Sequence, residues 1–284
     1  VVCYNLRGDY MEILKAVLFG IIEGITEWLP ISSTGHMILL DEFVKLNVSD
    51  EFYKLFEVVI QLGAILAVVI LYFKTIWPWG FGKTKEDTKE TFSLWGKIIV
   101  ACVPAIIIGL LFDDWFDEHF YNAPTAAIAL IVYGIIFIIM ESVTVTNRHT
   151  RSLNTISYKQ ALGVGVFQLL ALIPGTSRSG STILGGLVFG MDRPTIANFT
   201  FLLAIPVMAG ASCLKLLKYI MKVGFNFATN ELLVLGVGCL VAFIVSMFVI
   251  KFLISYIRKH DFKIFGWYRI VLGILVLLYF FVIK

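Results

Sequence analysis

The stretch E-G-I-T-E-W-L-P-I-S-S-T-G-H, from Glu23 to His36, interrupts a strongly apolar sequence. A second stretch, P-G-T-S-R-S-G from Pro174 to Gly180, does the same. Short apolar segments flank each one, at 12–29 and 37–46 and again at 160–173 and 181–190. A helix needs about 20 mostly apolar residues to cross a bilayer, so these four fall short. Polar and charged groups at membrane depth are costly and mark function. Short, broken apolar segments in matching places of two halves predict two re-entrant helical hairpins and an internal repeat.

Around them lie six longer apolar stretches, at 55–73, 97–112, 124–141, 195–217, 231–257 and 264–283. The chain is 59% hydrophobic and 15% charged. An ordinary soluble domain carries about 25% charged residues. The reading is an all-α integral membrane protein with six transmembrane helices, two re-entrant helical hairpins and two inverted-topology repeats. Residues 11–284 form a single membrane domain, with repeat one at about 11–141 and repeat two at about 157–284. Three spans per half is an odd number, which inverts the second half. Aligning Pro30 with Pro174 pairs Ser33 with Ser177 and Thr34 with Arg178. Residues 1–10 read as an N-terminal extension ahead of a start at Met11, and no cleavable signal peptide is expected.

Basic residues set the orientation. The 74–97 segment holds Lys74, Lys83, Lys85, Lys89 and Lys97. The 142–159 segment holds Arg148, Arg151 and Lys159, and 251–269 holds Lys251, Arg258, Lys259, Lys263 and Arg269. Six spans in series put all three on the cytoplasmic side. The opposite side receives Asp113, Asp114, Asp117 and Glu118, although Lys215, Lys218 and Lys222 count against the assignment. A net charge of +3 with no long basic run excludes nucleic acid as a partner. Cys3, Cys102, Cys213 and Cys239 form no C-x-x-C pair and read as small buried apolar residues. The six tryptophans, Trp28, Trp77, Trp79, Trp95, Trp115 and Trp267, read mostly as an interfacial belt.

In the first motif, Glu23 and Glu27 are four apart and share a helix face. Pro30 ends that helix, and Ser32, Ser33 and Thr34 form a hydroxyl-rich turn before the next one. Such a turn favours an anion through free N–H groups and the helix dipole; Ser32 also suits a capping role. In the second motif, Gly175 and Gly180 free the backbone, Thr176, Ser177 and Ser179 bring hydroxyls, and Arg178 offers a planar fork for phosphate. Arg178 could instead neutralise Glu23 or Glu27. Gln61 reads either as a substrate-orienting group or as a helix–helix hydrogen bond.

This inventory suits phosphoryl transfer, which depends on positioning and charge stabilisation. Ser33 attacks with His36 as base, or His36 attacks with Ser33 as its hydrogen-bonding partner; the first scheme is preferred. Glu23 and Glu27 hold a divalent cation, Mg2+ or Ca2+, or else orient His36. A site within the bilayer implies an amphiphilic substrate whose tail stays in lipid.

Both motifs resemble the signatures of the undecaprenyl-diphosphate phosphatase family linked to bacitracin resistance. F-E-V-V-I-Q-L-G, from Phe56 to Gly63, is also similar. The resemblance runs from Met11 to the C-terminus. It implies release of the terminal phosphate from undecaprenyl diphosphate, giving the lipid carrier of bacterial cell-wall synthesis. It further implies a divalent-cation requirement, a catalytic set of Glu23, Glu27, Ser33, His36 and Arg178, and phosphate contacts from Thr34 and Ser177. Gln61, Gly175, Thr176 and Ser179 complete the expected substrate-binding set. The resemblance also implies a multi-pass protein of the bacterial plasma membrane whose site opens outward. The partners expected are a polyprenyl diphosphate lipid, membrane lipid and a second copy of the chain as a homodimer. The rival reading is a secondary transporter or flippase for a polyprenyl phosphate lipid, because broken helices at midplane are also a transporter hallmark.

Overall fold

A computed structural model of the chain describes residues 6–80, 82–143, 149–225 and 227–283. Among these the regular elements are helical, with a single isolated bridge between Thr150 and Met191. The first broken pair is α1 (Leu6–Thr26) and α2 (Ser33–Phe43). It is followed by α3 (Asp50–Leu71), the single turn α4 (Phe73–Ile76), α5 (Lys85–Phe120) and α6 (Ala123–Val143). The second broken pair is α7 (Tyr158–Gln168) and α8 (Arg178–Val188). Then come α9 (Arg193–Val223), α10 (Thr229–Ile257) and α11 (Lys263–Leu278).

Among the described residues, six helices are long and apolar enough to cross a membrane: 50–71, 85–112, 123–143, 193–223, 230–257 and 263–282. They match the six expected spans. Only 22–44% of each most apolar window is buried inside the protein. The remaining surface is greasy, with Ile99, Leu110, Leu240, Phe248 and Leu275 exposed. Water would not tolerate so much apolar surface; lipid would. The chain is a multi-pass membrane protein.

Several placements differ from the sequence reading. Helix α5 begins at Lys85 rather than 97. Its added turns, K-E-D-T-K-E, are polar but propagate helix well. Thr84 and Asp87 cap them reciprocally, the Thr84 N–H reaching Asp87 Oδ2 at 2.8 Å and the Asp87 N–H reaching Thr84 Oγ1 at 3.1 Å. Lys85, Lys89 and Lys97 therefore lie on a helix rather than in a loop. Helix α1 begins at Leu6, so part of the supposed extension is helical; residues 1–5, with Cys3, lie outside the described residues, as does Arg148. Arg269 belongs to no connection: it sits inside α11, fully buried.

Each broken pair returns to the end it came from. In the first, Lys15 Nζ donates to the Lys45 carbonyl at 2.6 Å and the Asn47 N–H donates to Glu12 Oε2 at 2.8 Å. In the second, Gln160 Nε2 donates to the Phe189 carbonyl at 2.8 Å. The pairs pack crosswise. Helix α1 lies along α10, where Ser246 Oγ meets the Gly24 carbonyl at 3.5 Å. Helix α7 lies along α5, so closely that a Cβ on Gly165 would sit 2.3 Å from the Ala101 carbonyl oxygen. Helices α6 and α11 pair with each other, as do α3 and α9. The main core gathers Trp28, Phe137, Phe199, Phe201 and Leu202 around the two turns. Trp28 is thus a core residue, edge-on to Phe201 at 5.3 Å, and not part of a belt. The other five tryptophans are exposed. Cys102 is buried and Cys239 partly so, but Cys213 is exposed.

Candidate active site

The two turns are built alike. Ser32 caps α2 with φ 75°, and its Oγ accepts from the Gly35 N–H at 3.2 Å. Ser177 caps α8 with φ 73°, and its Oγ accepts from the Gly180 N–H at 3.1 Å. These are the only non-glycine residues with positive φ among those described. Such a conformation costs about 1–3 kcal/mol at each site. It persists because the surrounding contacts hold it: each cap oxygen is bonded to the N–H three residues on, and backbone carbonyls of both turns are held by Arg269. The shared geometry corrects the proline-based alignment by one residue. Ser32 corresponds to Ser177, and Ser33 to Arg178, because the second turn has one more residue between proline and cap.

Arg269 ties the turns together. Its Nη1 donates to the Pro30 carbonyl at 3.1 Å, and its Nη2 to the carbonyls of Gly175 at 2.8 Å and Thr176 at 2.9 Å. The guanidinium lies 5.6 Å from the Tyr133 ring centre and 5.9 Å from that of Phe137. One buried cation thus binds both turns through backbone oxygen and aromatic faces. Gly175, at φ 90°, passes so near Ala126 that a Cβ would meet its carbonyl oxygen at 2.2 Å. The sequence reading missed Arg269 because one arginine near the start of an apolar span reads as an interfacial charge.

Two cavities, of about 620 and 200 Å3, adjoin at the turns and share Thr34, Gln61 and Pro174. The larger takes in Glu23 and reaches Lys54, Asp114, Glu118 and Lys215, which lie toward the α3-start end of the bundle. The smaller is lined by Glu27, Ser33, Gly175, Ser177 and Arg178 among others. Residues 151 positions apart in sequence therefore face one space. Ser33 Oγ donates to Glu27 Oε2 at 2.5 Å. Arg178 donates to Glu27 Oε1 through Nε at 3.3 Å and Nη2 at 3.1 Å, and through Nη1 to the Thr200 carbonyl at 3.1 Å. Glu27 bridges hydroxyl and guanidinium. Both side chains of the ion pair are largely buried, so removing either partner would strand a charge at about 3–5 kcal/mol.

Three other expected residues face elsewhere. His36 lines neither cavity. Its Nδ1 lies 2.7 Å from the Ser32 carbonyl, its Nε2 lies 2.7 Å from Tyr268 Oη, and its ring stacks on that tyrosine. Thr176 is fully buried and donates its hydroxyl to the Leu170 and Ile173 carbonyls at 2.7 and 2.8 Å, closing its own turn. Ser179 donates to the Leu29 carbonyl at 3.2 Å, bracing one turn against the other.

For a divalent cation, Glu23 and Glu27 are not equivalent. Both Glu27 oxygens are engaged, whereas Glu23 Oε1 is buried without a hydrogen-bond partner among the described residues. No cluster of three or more His, Cys, Asp or Glu assembles there among those residues. Magnesium typically takes one or two carboxylates and fills its remaining positions with phosphate oxygens and water. Glu23 fits that mode.

A family profile described as bacitracin resistance protein BacA matches residues 16–275. The chain is 58% identical over 273 residues to an undecaprenyl-diphosphatase of Enterococcus faecalis, covering 95% of this chain and 98% of that relative. It is 59% identical over 272 residues to an undecaprenyl-diphosphatase of Desulfitobacterium hafniense, covering 95% and 96%. With the undecaprenyl-diphosphatase of Acetivibrio thermocellus it shares 55% identity over 280 residues, covering 96% and 100%. The two interrupted hairpins, the paired caps and the Glu27–Arg178 site thus belong to a chain that is a member of the bacitracin resistance protein BacA family.

Proposed function

We propose that this protein hydrolyses undecaprenyl diphosphate to undecaprenyl phosphate and inorganic phosphate in the bacterial plasma membrane, which confers bacitracin resistance. The observation that carries this is the Ser33–Glu27–Arg178 contact at the meeting of two helix N-termini. A hydroxyl already donating to a buried carboxylate is an activated nucleophile. In the proposed mechanism, Arg178 releases Glu27 in part and grips the terminal phosphate with its fork. Ser33 Oγ attacks the terminal phosphorus as Glu27 takes its proton. The bond from phosphorus to the bridging oxygen breaks, and undecaprenyl phosphate leaves. Water then displaces phosphate from Ser33, its protons leaving on the inorganic phosphate, and Glu27 returns its own proton to the serine oxygen. The N–H groups at the starts of α2 and α8 offset charge on the phosphate oxygens. A divalent cation held by Glu23 would neutralise diphosphate charge.

His36 acts in this scheme by fixing the Ser32 turn rather than as the base. The polyprenyl tail leaves the smaller cavity past Ala105 of α5 and Val207 of α9, both of which line it. The two hairpins are read as re-entrant from opposite membrane faces. The mouth is read as outward, because it lies at the end bearing Asp114 and Glu118, away from the lysine-rich start of α5. A carrier would need the arginine and the carboxylates but has no use for Ser33 held against Glu27. The test is phosphate release from undecaprenyl diphosphate by purified protein in detergent with Mg2+ or Ca2+. Binding without release under those conditions would overturn the hydrolase in favour of the transporter.

A further inference from the structure

Gln168 is the last residue of α7, 3% exposed, and lines the smaller cavity with Ser33, Glu27 and Arg178. Neither its amide nitrogen nor its amide oxygen has a hydrogen-bond partner among the described residues. Most buried polar groups are paired, and an orphaned one destabilises the fold. A leucine or methionine of similar length would suit a helix end packed in this core better. The position also has a counterpart. Gln168 stands nine residues before the cap Ser177, and Glu23 stands nine before the cap Ser32. Both carry an orphaned buried oxygen. One hairpin thus brings a carboxyl group, and the other a carboxamide, to the same paired cavities.

We propose that Gln168 is a substrate-contact residue that binds the diphosphate headgroup. Its Nε2 donates to a non-bridging phosphate oxygen, and its Oε1 accepts from water admitted with the headgroup. An amide suits this place where a carboxylate does not, since it donates to phosphate without repelling it. The inference rests on the phosphatase reading for its substrate, but inorganic pyrophosphate probes the contact independently.

The experiment compares wild type with Gln168→Leu, Gln168→Met and Gln168→Glu in detergent. It reads the thermal midpoint with and without inorganic pyrophosphate, and phosphate release from undecaprenyl diphosphate. Gln168→Leu or Gln168→Met is expected to keep or raise the midpoint while kcat/KM falls about 10- to 100-fold, the loss of one hydrogen bond to a charged group. The midpoint rise given by pyrophosphate should shrink in the same variants, and Gln168→Glu should lose more activity than either. Wild-type kcat/KM and an unchanged pyrophosphate response in the apolar variants would overturn the proposal. So would a midpoint that drops in step with activity in both, which would make Gln168 structural. If the wild type releases no phosphate, the phosphatase reading fails. A pyrophosphate response that still depends on Gln168 would then uphold the contact, and one that does not would end it.

Discussion

Ser33 and Glu27 should behave as one catalytic unit, and a double-mutant cycle tests this. Ser33→Ala removes the attacking oxygen. Losing a nucleophile from a working constellation lowers kcat by about 10^4- to 10^6-fold. Glu27→Gln keeps the shape but removes the acceptor for the serine proton, which general-base catalysis values at about 10^2- to 10^4-fold. The 2.5 Å contact is their direct link. If the effects were independent, the double variant would lose the product of the two, about 10^6- to 10^10-fold. If Glu27 acts only through Ser33, the double variant should be no slower than Ser33→Ala alone. The assay is steady-state phosphate release from undecaprenyl diphosphate by folded, purified protein, with thermal midpoints recorded alongside. Two results would refute the reasoning: a Ser33→Ala variant retaining a tenth of wild-type kcat, or a double variant losing the full product.

Further outcomes follow from the same geometry. Arg178→Lys keeps the charge but loses the fork that reaches Glu27 twice and Thr200 once, so kcat/KM should fall about 10- to 10^3-fold, checked by phosphate release. Glu23→Gln should raise the Mg2+ or Ca2+ concentration for half-maximal activity at least about tenfold, since losing even an outer-shell partner of a metal ligand commonly costs that much; an unchanged cation titration would remove Glu23 as the ligand. Arg269→Lys cannot reach three carbonyls on two turns with one ammonium. Its thermal midpoint should fall, with a stability loss of about 1–3 kcal/mol for each carbonyl left bare, read by denaturant or thermal unfolding. His36→Phe and Tyr268→Phe should be non-additive in kcat, because each breaks the same 2.7 Å contact.

Sequence patterning carried the spans because lipid imposes a one-dimensional rule: each crossing helix must be apolar along its length. All six expected stretches reappear as long helices, and the four leftover segments became α1, α2, α7 and α8. The errors fell where that rule is silent. Polar helix such as Lys85–Lys97 looks like a loop to hydropathy. The same blindness hid Arg269, whose partners are backbone carbonyls more than ninety residues away.

The residue types, the two interruptions and their order were fixed by composition and spacing, since protons, phosphates and prolines obey local chemistry. Which groups actually meet was a matter of the tertiary structure. It gave Glu27 to Ser33 and Arg178, turned His36 toward Tyr268, spent Thr176 and Ser179 on backbone carbonyls, and left Gln168 facing the cavity without a partner. The direction of a side chain at a helix start depends on the φ of the cap before it. Those two caps take positive φ, and Arg269 of α11 holds the turns that contain them through the carbonyls of Pro30, Gly175 and Thr176.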